Sequence, residues 1–331
     1  MKTFRNFSFL CILAFSALLV SCNSCQSQKA IPEPYHQVSP DFNADSAYSY
    51  VEKQVGFGPR VPMTAAHTAC GDYLAAKLSS FGAEVVEQKA SITHYNGKDI
   101  AIRNIIGSFQ PEKESRILLF AHWDTRPFAD REKDPAKTNQ PIPGADDGAS
   151  GVGVLLEVAR QIQQKAPDCG IDIIFFDLED WGQAEFDDHS VPGNWWCMGS
   201  QFWAKEPHTP GYKAKFGILL DMVGAADATF MREGESLRYA ANIVEKVWGT
   251  ASKMGFGQFF PRKKSGSITD DHIPVNQIRK IPSIDIINLK NDSSSGFAAH
   301  WHTHGDNMQN IGKTTLKAVG QTILEVIYLE K

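Results

Sequence analysis

Ile171-Asp172-Ile173-Ile174-Phe175-Phe176-Asp177-Leu178, followed at once by Glu179-Asp180, is the stretch on which the fold turns. It is a short, almost continuous apolar run, as expected of a strand covered on both faces, and it ends in two carboxylates. Upstream, Arg116 to His122 is a second such run, ending in His122-Trp123-Asp124. Downstream, Phe216 to Met222 is a third, with Asp221 near its end, and Ile281 to Ile287 a fourth. Gly148 to Gln164, Ser200 to Lys205, Ser236 to Met254 and Lys313 to Tyr328 carry helical spacing between and after them. Buried strands alternating with helices predict an α/β fold, a mixed and mostly parallel twisted sheet with helices on both faces.

Further toward the N-terminus the rhythm changes. Ala44 to Val55 reads as a helix, broken by Gly56-Phe57-Gly58-Pro59-Arg60. Thr64 to Phe81 reads as another, with Thr64 as its N-cap and Gly82 as its stop. Ala83 to Ile92 and Ile100 to Gly107 read as strands joined by a hairpin at Asn96-Gly97. No internal repeat or mid-chain linker interrupts residues 44–331, so a single globular domain is expected.

The first residues read as targeting. Lys2 and Arg5 precede the apolar run Phe7 to Val20, which is too short for a comfortable membrane span and fits a signal-peptide core. Leu19-Val20-Ser21-Cys22 has the pattern of a bacterial lipoprotein cleavage site. The expectation is a signal peptide over 1–21, a lipidated Cys22 and flexible tether over 22–43, and a membrane-anchored domain facing the periplasm. A net charge of −5 without basic clusters argues against nucleic acid as a partner. A monomer is expected. Cys25, Cys70, Cys169 and Cys197 are too few for a disulfide scaffold, and the last three read best as small buried side chains.

The polar residues of interest gather where ligand sites form in open α/β sheets, beyond the carboxyl ends of the strands. Glu179-Asp180, Asp221 and His122 end strands; Asp146-Asp147, Asp270-Asp271-His272 and His300-Trp301-His302-Thr303-His304 lie in loops. Singly, each has an ordinary reading, such as a helix cap or a solvated strand end. Together, carboxylates at one end of a sheet repel unless a cation joins them, and zinc with Asp, Glu and His ligands is a natural partner. A serine-hydrolase elbow and a phosphate-binding loop are both missing from the sequence. Gly151-Val152-Gly153 lies inside a helix and reads as close packing.

The strings AHWDTRP, GADDGASG, FFDLEDWG, LLDMVGAADATF, DDHIPV and HWHTHGDN occur in the order found in the zinc aminopeptidase superfamily. DDHIP followed by WHT and DN more closely resembles the glutaminyl-peptide cyclotransferases of the animal and bacteroidete type. The resemblance runs from about Ala44 onward and implies a zinc aminopeptidase-like fold. It implies one zinc on Asp147, Asp180 and His302, with Glu179 as general acid and base. It implies a hydrogen-bonded pair of Asp221 and Asp270, and a substrate pocket lined by Trp301, Phe297 and Ile268. His122 matches a second-metal ligand of aminopeptidases, and the second site, with His122 and Asp221, is expected to be empty. The implied reaction closes an N-terminal glutamine of a peptide or protein to pyroglutamate and releases ammonia.

The chain departs from the animal pattern in three places. Asp180 stands where Glu is common. Ala121 stands where the animal enzymes carry one of two flanking cysteines. The segment 181–198 is longer, which leaves open whether Trp181, Trp195 or Trp196 lines the pocket. Two other readings stand beside the cyclase. One is a two-zinc exo-aminopeptidase using His122, Asp147, Asp180, Asp221 and His302. The other is a non-catalytic binding protein on the same fold, which the intact ligand and acid set disfavours.

Overall fold

A computed structural model describes residues 35–331 of the protein. The expected signal peptide, Cys22 and Cys25 lie outside the described residues.

Successive side chains of a strand point to opposite faces, so a strand apolar at every position feeds two cores at once. In β3 (Arg116–His122), Ile117, Leu119 and Ala121 enter a large core while Leu118 and Phe120 enter a smaller one on the other face. β4 (Gly170–Phe176) divides in the same way, with Ile171, Ile173 and Phe175 on one side and Ile174 and Phe176 on the other. β5 (Gly217–Asp221) and β6 (Ser283–Ile287) are buried along their whole length. These four strands are mutually parallel, and the hairpin β1 (Glu84–Thr93) and β2 (Asp99–Phe109) adds an antiparallel edge. The strand order is β1-β2-β4-β3-β5-β6, the mixed and mostly parallel sheet expected.

The large core lies under α1 (Ala44–Val55), α2 (Ala65–Ser80), α3 (Ala149–Gln164), α5 (Gly234–Lys253) and α7 (Lys313–Tyr328). Thr64 caps α2 by accepting the His67 amide. The smaller core lies under α4 (Met198–Lys205) and under α6 (His272–Pro274), a single turn that runs into the π turn Val275–Arg279. Cys70, Cys169 and Cys197 are buried free thiols. Asp172, an ion inside an apolar strand, is matched by a two-pronged Arg116 guanidinium and by the Tyr212 hydroxyl.

Residues 35–43, which the sequence reading placed in the tether, are folded. Residues 35–43 lie against α7, and the compact unit starts at Tyr35 rather than Ala44. The buried Glu325 carboxylate is the cause: it accepts the Val38 and Ser39 amides, the Ser39 hydroxyl at 2.6 Å and the Tyr35 hydroxyl at 2.7 Å. Phe42 then lies flat over Gly320, where a Cβ would come within 2.1 Å of its ring.

Gly151 and Gly153 do pack closely. A Cβ on Gly151 would sit 2.1 Å from the Leu220 carbonyl oxygen of β5, and one on Gly153 would sit 2.5 Å from Val51 of α1. α3 therefore rests on the backbone of the strand that delivers Asp221. Gly151→Ala forces helix and strand apart and should lower the unfolding free energy by about 2–3 kcal/mol, the usual size of an overpacking penalty. Urea denaturation measures this, and an unchanged midpoint would show that the helix can step away freely.

Candidate functional site

The carboxyl ends of β3, β4 and β5 lie side by side, and each is followed by a sharp turn. Leu178 (φ 56°) and Met222 (φ 47°) adopt left-handed backbone just after β4 and β5, and His302 (φ 55°) does so in its loop. That region is unfavourable for residues with a Cβ, so the surroundings must hold it. Buried carboxylates hold the loops here. Asp124 accepts the Glu179 amide through one oxygen, at 3.1 Å, and the Asp180 amide through the other, at 3.2 Å. Asp306 does the same for Asp146, at 2.7 Å, and Asp147, at 3.1 Å. Asp146 in turn accepts the Gly224 and Ala225 amides beyond β5 and meets His300 Nε2 at 2.9 Å.

The side chains that could bind a metal converge inside this frame. His302 Nε2 lies 3.2 Å from Asp180 Oδ1 and 3.9 Å from Asp147 Oδ2. His122 Nε2 lies 3.0 Å from Asp147 Oδ1 and 3.1 Å from Asp221 Oδ1. The donor atoms of Asp147, Asp180 and His302 all fall within 4.8 Å of one another, and so do those of His122, Asp147 and Asp221. Asp180 Oδ2 is buried without a hydrogen-bond partner. Two carboxylates and an imidazole crowded in this way, with an orphaned oxygen among them, suit a zinc ion. Behind His302, its Nδ1 meets Asp130 Oδ1 at 3.2 Å, and Asp130 is also gripped by Arg126. Burial works against the Asp130 charge, but the adjacent His302 imidazole and the Arg126 guanidinium outweigh it and hold this carboxyl well below the usual range.

The remaining acids are pushed the other way. Glu179, held from water by burial and set among the negative Asp180, Asp270 and Asp271, is raised well above an ordinary glutamate. Burial raises Asp270 to about 7, with the Asp221 charge adding to it, and burial raises Asp221 to about 6 against the pull of His122. The partners of these two aspartates differ from those the resemblance implied. Asp221 Oδ1 turns to His122, while Asp270 Oδ1 accepts the Asp271 amide, and the buried Asp285 of β6 is raised by burial and by the nearby Asp270 charge. Asp285 is fully buried and points to the face opposite Ile284 and Ile286, because it alternates with them along the strand.

Glu179, Asp221 and Asp270 line a narrow well of about 60 Å³, walled by Ile268, Phe297 and Trp301. The well opens into a cleft of about 600 Å³. Trp301 lies flat on His302, with ring centres 3.7 Å apart, and on Phe297 at 4.2 Å. Trp196 supplies the facing wall, parallel to His302 and over the Arg126 guanidinium. Trp181 and Trp195 pack on His94 instead, which settles which tryptophan of the long segment reaches the cleft.

Asp147, Glu179, Asp180, Asp221, Ile268, Asp270, Phe297, Trp301 and His302 all lie around this one well, while His122 reaches Asp147 and Asp221 from outside its lining. Several that matter were not singled out. Asp124 and Asp306 sit inside the quoted strings, and their place beside strand-end ligands was the available signal. Asp285 is a lone acid between two isoleucines of a buried strand, an anomaly visible in the sequence. Asp130 stands in a polar loop without pattern, and nothing local marks it. Cys197 reads as a buried apolar residue, which it is, but its thiol also meets Glu179 Oε1 at 3.2 Å.

Residues 104–327 match the profile of peptidase family M28. Bovine glutaminyl-peptide cyclotransferase is 27% identical over 252 residues, an alignment that takes in 69% of this chain and 65% of the bovine protein. Among solved structures, a glutaminyl cyclase from Tannerella forsythia is 59% identical and superposes with a TM-score of 0.86 over 88% of this chain and 100% of its own. A Zn-dependent exopeptidase from Parabacteroides distasonis is 61% identical, with a TM-score of 0.87 over the same shares, 88% and 100%. The M28 match covers most of the chain, and the match to a solved cyclase runs the whole length of that cyclase. The chain belongs to peptidase family M28 and, within it, to the glutaminyl cyclases.

Proposed function

We propose that this chain converts the N-terminal glutaminyl residue of peptides and proteins into a pyroglutamyl residue and releases ammonia. The observation that carries the reading is the well itself. It is narrow, it has the raised Glu179 carboxyl in its wall beside the ligand triad, and its sides are aromatic. Such a shape suits a short side chain ending in a small polar head.

Asp147, Asp180 and His302 would hold one zinc ion, which when bound supplies a Lewis acid for the carboxamide oxygen. Amine and carboxamide belong to the same substrate residue, so the task of the protein is largely orientation. Trp301, Phe297 and Ile268 enclose the aliphatic part of the side chain and exclude water. Glu179 takes a proton from the α-amine, whose nitrogen bonds to the side-chain carbonyl carbon and closes the ring. Glu179 then delivers that proton to the departing nitrogen, the carbon–nitrogen bond breaks, and ammonia leaves. Asp270, whose carboxyl is raised to about 7, can hold a proton near neutrality and so orient the substrate nitrogen. Asp221 holds His122, and in this reading the second group of donors carries no metal.

That second group favours the other reading, a two-zinc exopeptidase, because the donors of His122, Asp147 and Asp221 are as close together as those of the first. Two peptides distinguish them, one starting with Gln and one with Leu. The cyclase reading expects the Gln peptide to lose one ammonia without being shortened, the Leu peptide to stay intact, and one zinc per chain. Loss of the N-terminal Leu with two zincs per chain would sink it. Glu179→Gln should reduce ammonia release at least a thousandfold with zinc retained, and near-normal turnover would remove Glu179 from the role of base.

Asp130 should matter for the metal without touching it, because a carboxylate behind a ligating imidazole fixes its tautomer and direction. Asp130→Asn should weaken zinc binding about 10–100-fold, read by competition with a chromogenic chelator. Wild-type affinity in that variant would leave Asp130 as a partner of Arg126 alone.

The chain is further proposed to be exported and anchored through a lipid on Cys22, on the strength of the leader pattern around Leu19-Val20-Ser21-Cys22. Labelled palmitate should enter the expressed full chain and be lost in Cys22→Ser, and undiminished labelling of that variant would refute the anchor.

A further inference from the structure

We infer that Cys197 is a positioning residue for the catalytic carboxylate: its thiol donates a hydrogen bond to Glu179 Oε1 and fixes the direction in which the base faces the substrate. This rests on Glu179 being the acid–base group. Four features carry it.

The thiol sulfur lies 3.2 Å from Glu179 Oε1, and among the described residues no other protein donor bonds to either oxygen of that carboxylate. Oε2 is thereby left without a protein partner, on a side chain that lines the well. The two backbones are also joined, since the Cys197 amide donates to the Glu179 carbonyl at 3.0 Å and the Met198 amide to the Leu178 carbonyl at 2.9 Å. The start of α4 and the acid loop therefore move together, and the thiol cannot drift from its acceptor. Gly199 completes the contact, because a Cβ there would lie 2.1 Å from the Asp177 carbonyl.

Cys197 also keeps a side chain where the backbone disfavours one. Its φ of 57° and ψ of 34° are left-handed, a conformation glycine adopts without cost. Its side chain makes no cap hydrogen bond to α4, so helix capping does not account for it. The Glu179 contact does.

A thiol is chemically apt here. It is a weak donor, so it can orient a carboxylate without neutralising much of its basicity. Burial and the surrounding negative charge of Glu179, Asp271 and Asp270 push the thiol itself far up, so it stays protonated and able to donate.

The test uses the zinc-loaded enzyme and whichever peptide, Gln- or Leu-initiated, the wild type turns over, since Glu179 is the base in either case. A failed cyclase reading is thus separated from a failed positioning role. Cys197→Ala should lower kcat about tenfold with KM within twofold, with zinc content and thermal midpoint close to wild type. Cys197→Ser, which restores a donor of similar size, should recover kcat to within about threefold. In the Glu179→Gln background, Cys197→Ala should cause no further loss, because the base it orients is gone. Wild-type kcat in Cys197→Ala overturns the proposal. So does a loss that Ser fails to recover, a change confined to KM, or an equal loss in the Glu179→Gln background. If Cys197→Ala does not fold, the Ser variant decides: kcat more than tenfold below wild type at full zinc content overturns the role.

Discussion

Buried carboxylates that accept consecutive backbone amides are the interaction on which this site depends. An amide pair left bare at the end of a buried strand carries a large desolvation cost, and an anion answers two such donors at once. Asp124 meets that need for Glu179 and Asp180, and Asp306 meets it for Asp146 and Asp147. Among the residues so held are the proposed acid–base group, Glu179, and the two carboxylates proposed to bind zinc, Asp147 and Asp180. Without these grips the left-handed turns at Leu178 and Met222 would relax, and the donor atoms would separate under their own repulsion.

The same grips explain why so many acids can share one end of a sheet. Asp124 and Asp306 satisfy backbone donors, Asp130 neutralises Arg126 and orients His302, and Asp221 meets His122. Burial still raises Glu179, Asp270, Asp271 and Asp285, and it raises Asp306 to about 8 with the charges of Asp146 and Asp147 adding to it. The field of the site is thus uneven by construction. Of these raised carboxyls, Glu179 and Asp270 are those that line the well.

The fold was legible because it rests on local chemistry. β3 and β4 are apolar at nearly every position, which only a strand between two cores requires, and Gly151-Val152-Gly153 announced the close approach of α3. The candidate ligands could be gathered because strand ends and the loops beside them collect ligand sites. The partners of Asp221 and Asp270 were not, because a strand reading gives the end on which a side chain sits and not the neighbour it selects. The docking of residues 35–43 was hidden for a different reason. A mostly polar stretch looks like a tether until its acceptor is known, and that acceptor, Glu325, is 290 residues away from Tyr35 in sequence. Trp196 could not be chosen from Trp181 and Trp195 because loop lengths do not encode which ring a loop turns inward.

The contact between Tyr35, Val38 and Ser39 and the Glu325 carboxylate also orders events in time. Ribosomes release a chain from its N-terminus, so the first described segment emerges long before the helix that receives it. Until α7 is made, Phe42 has no Gly320 to cover and Glu325 is not there to accept amides. A chain truncated before α7 therefore lacks both the acceptor of the Val38 and Ser39 amides and the cover of Phe42.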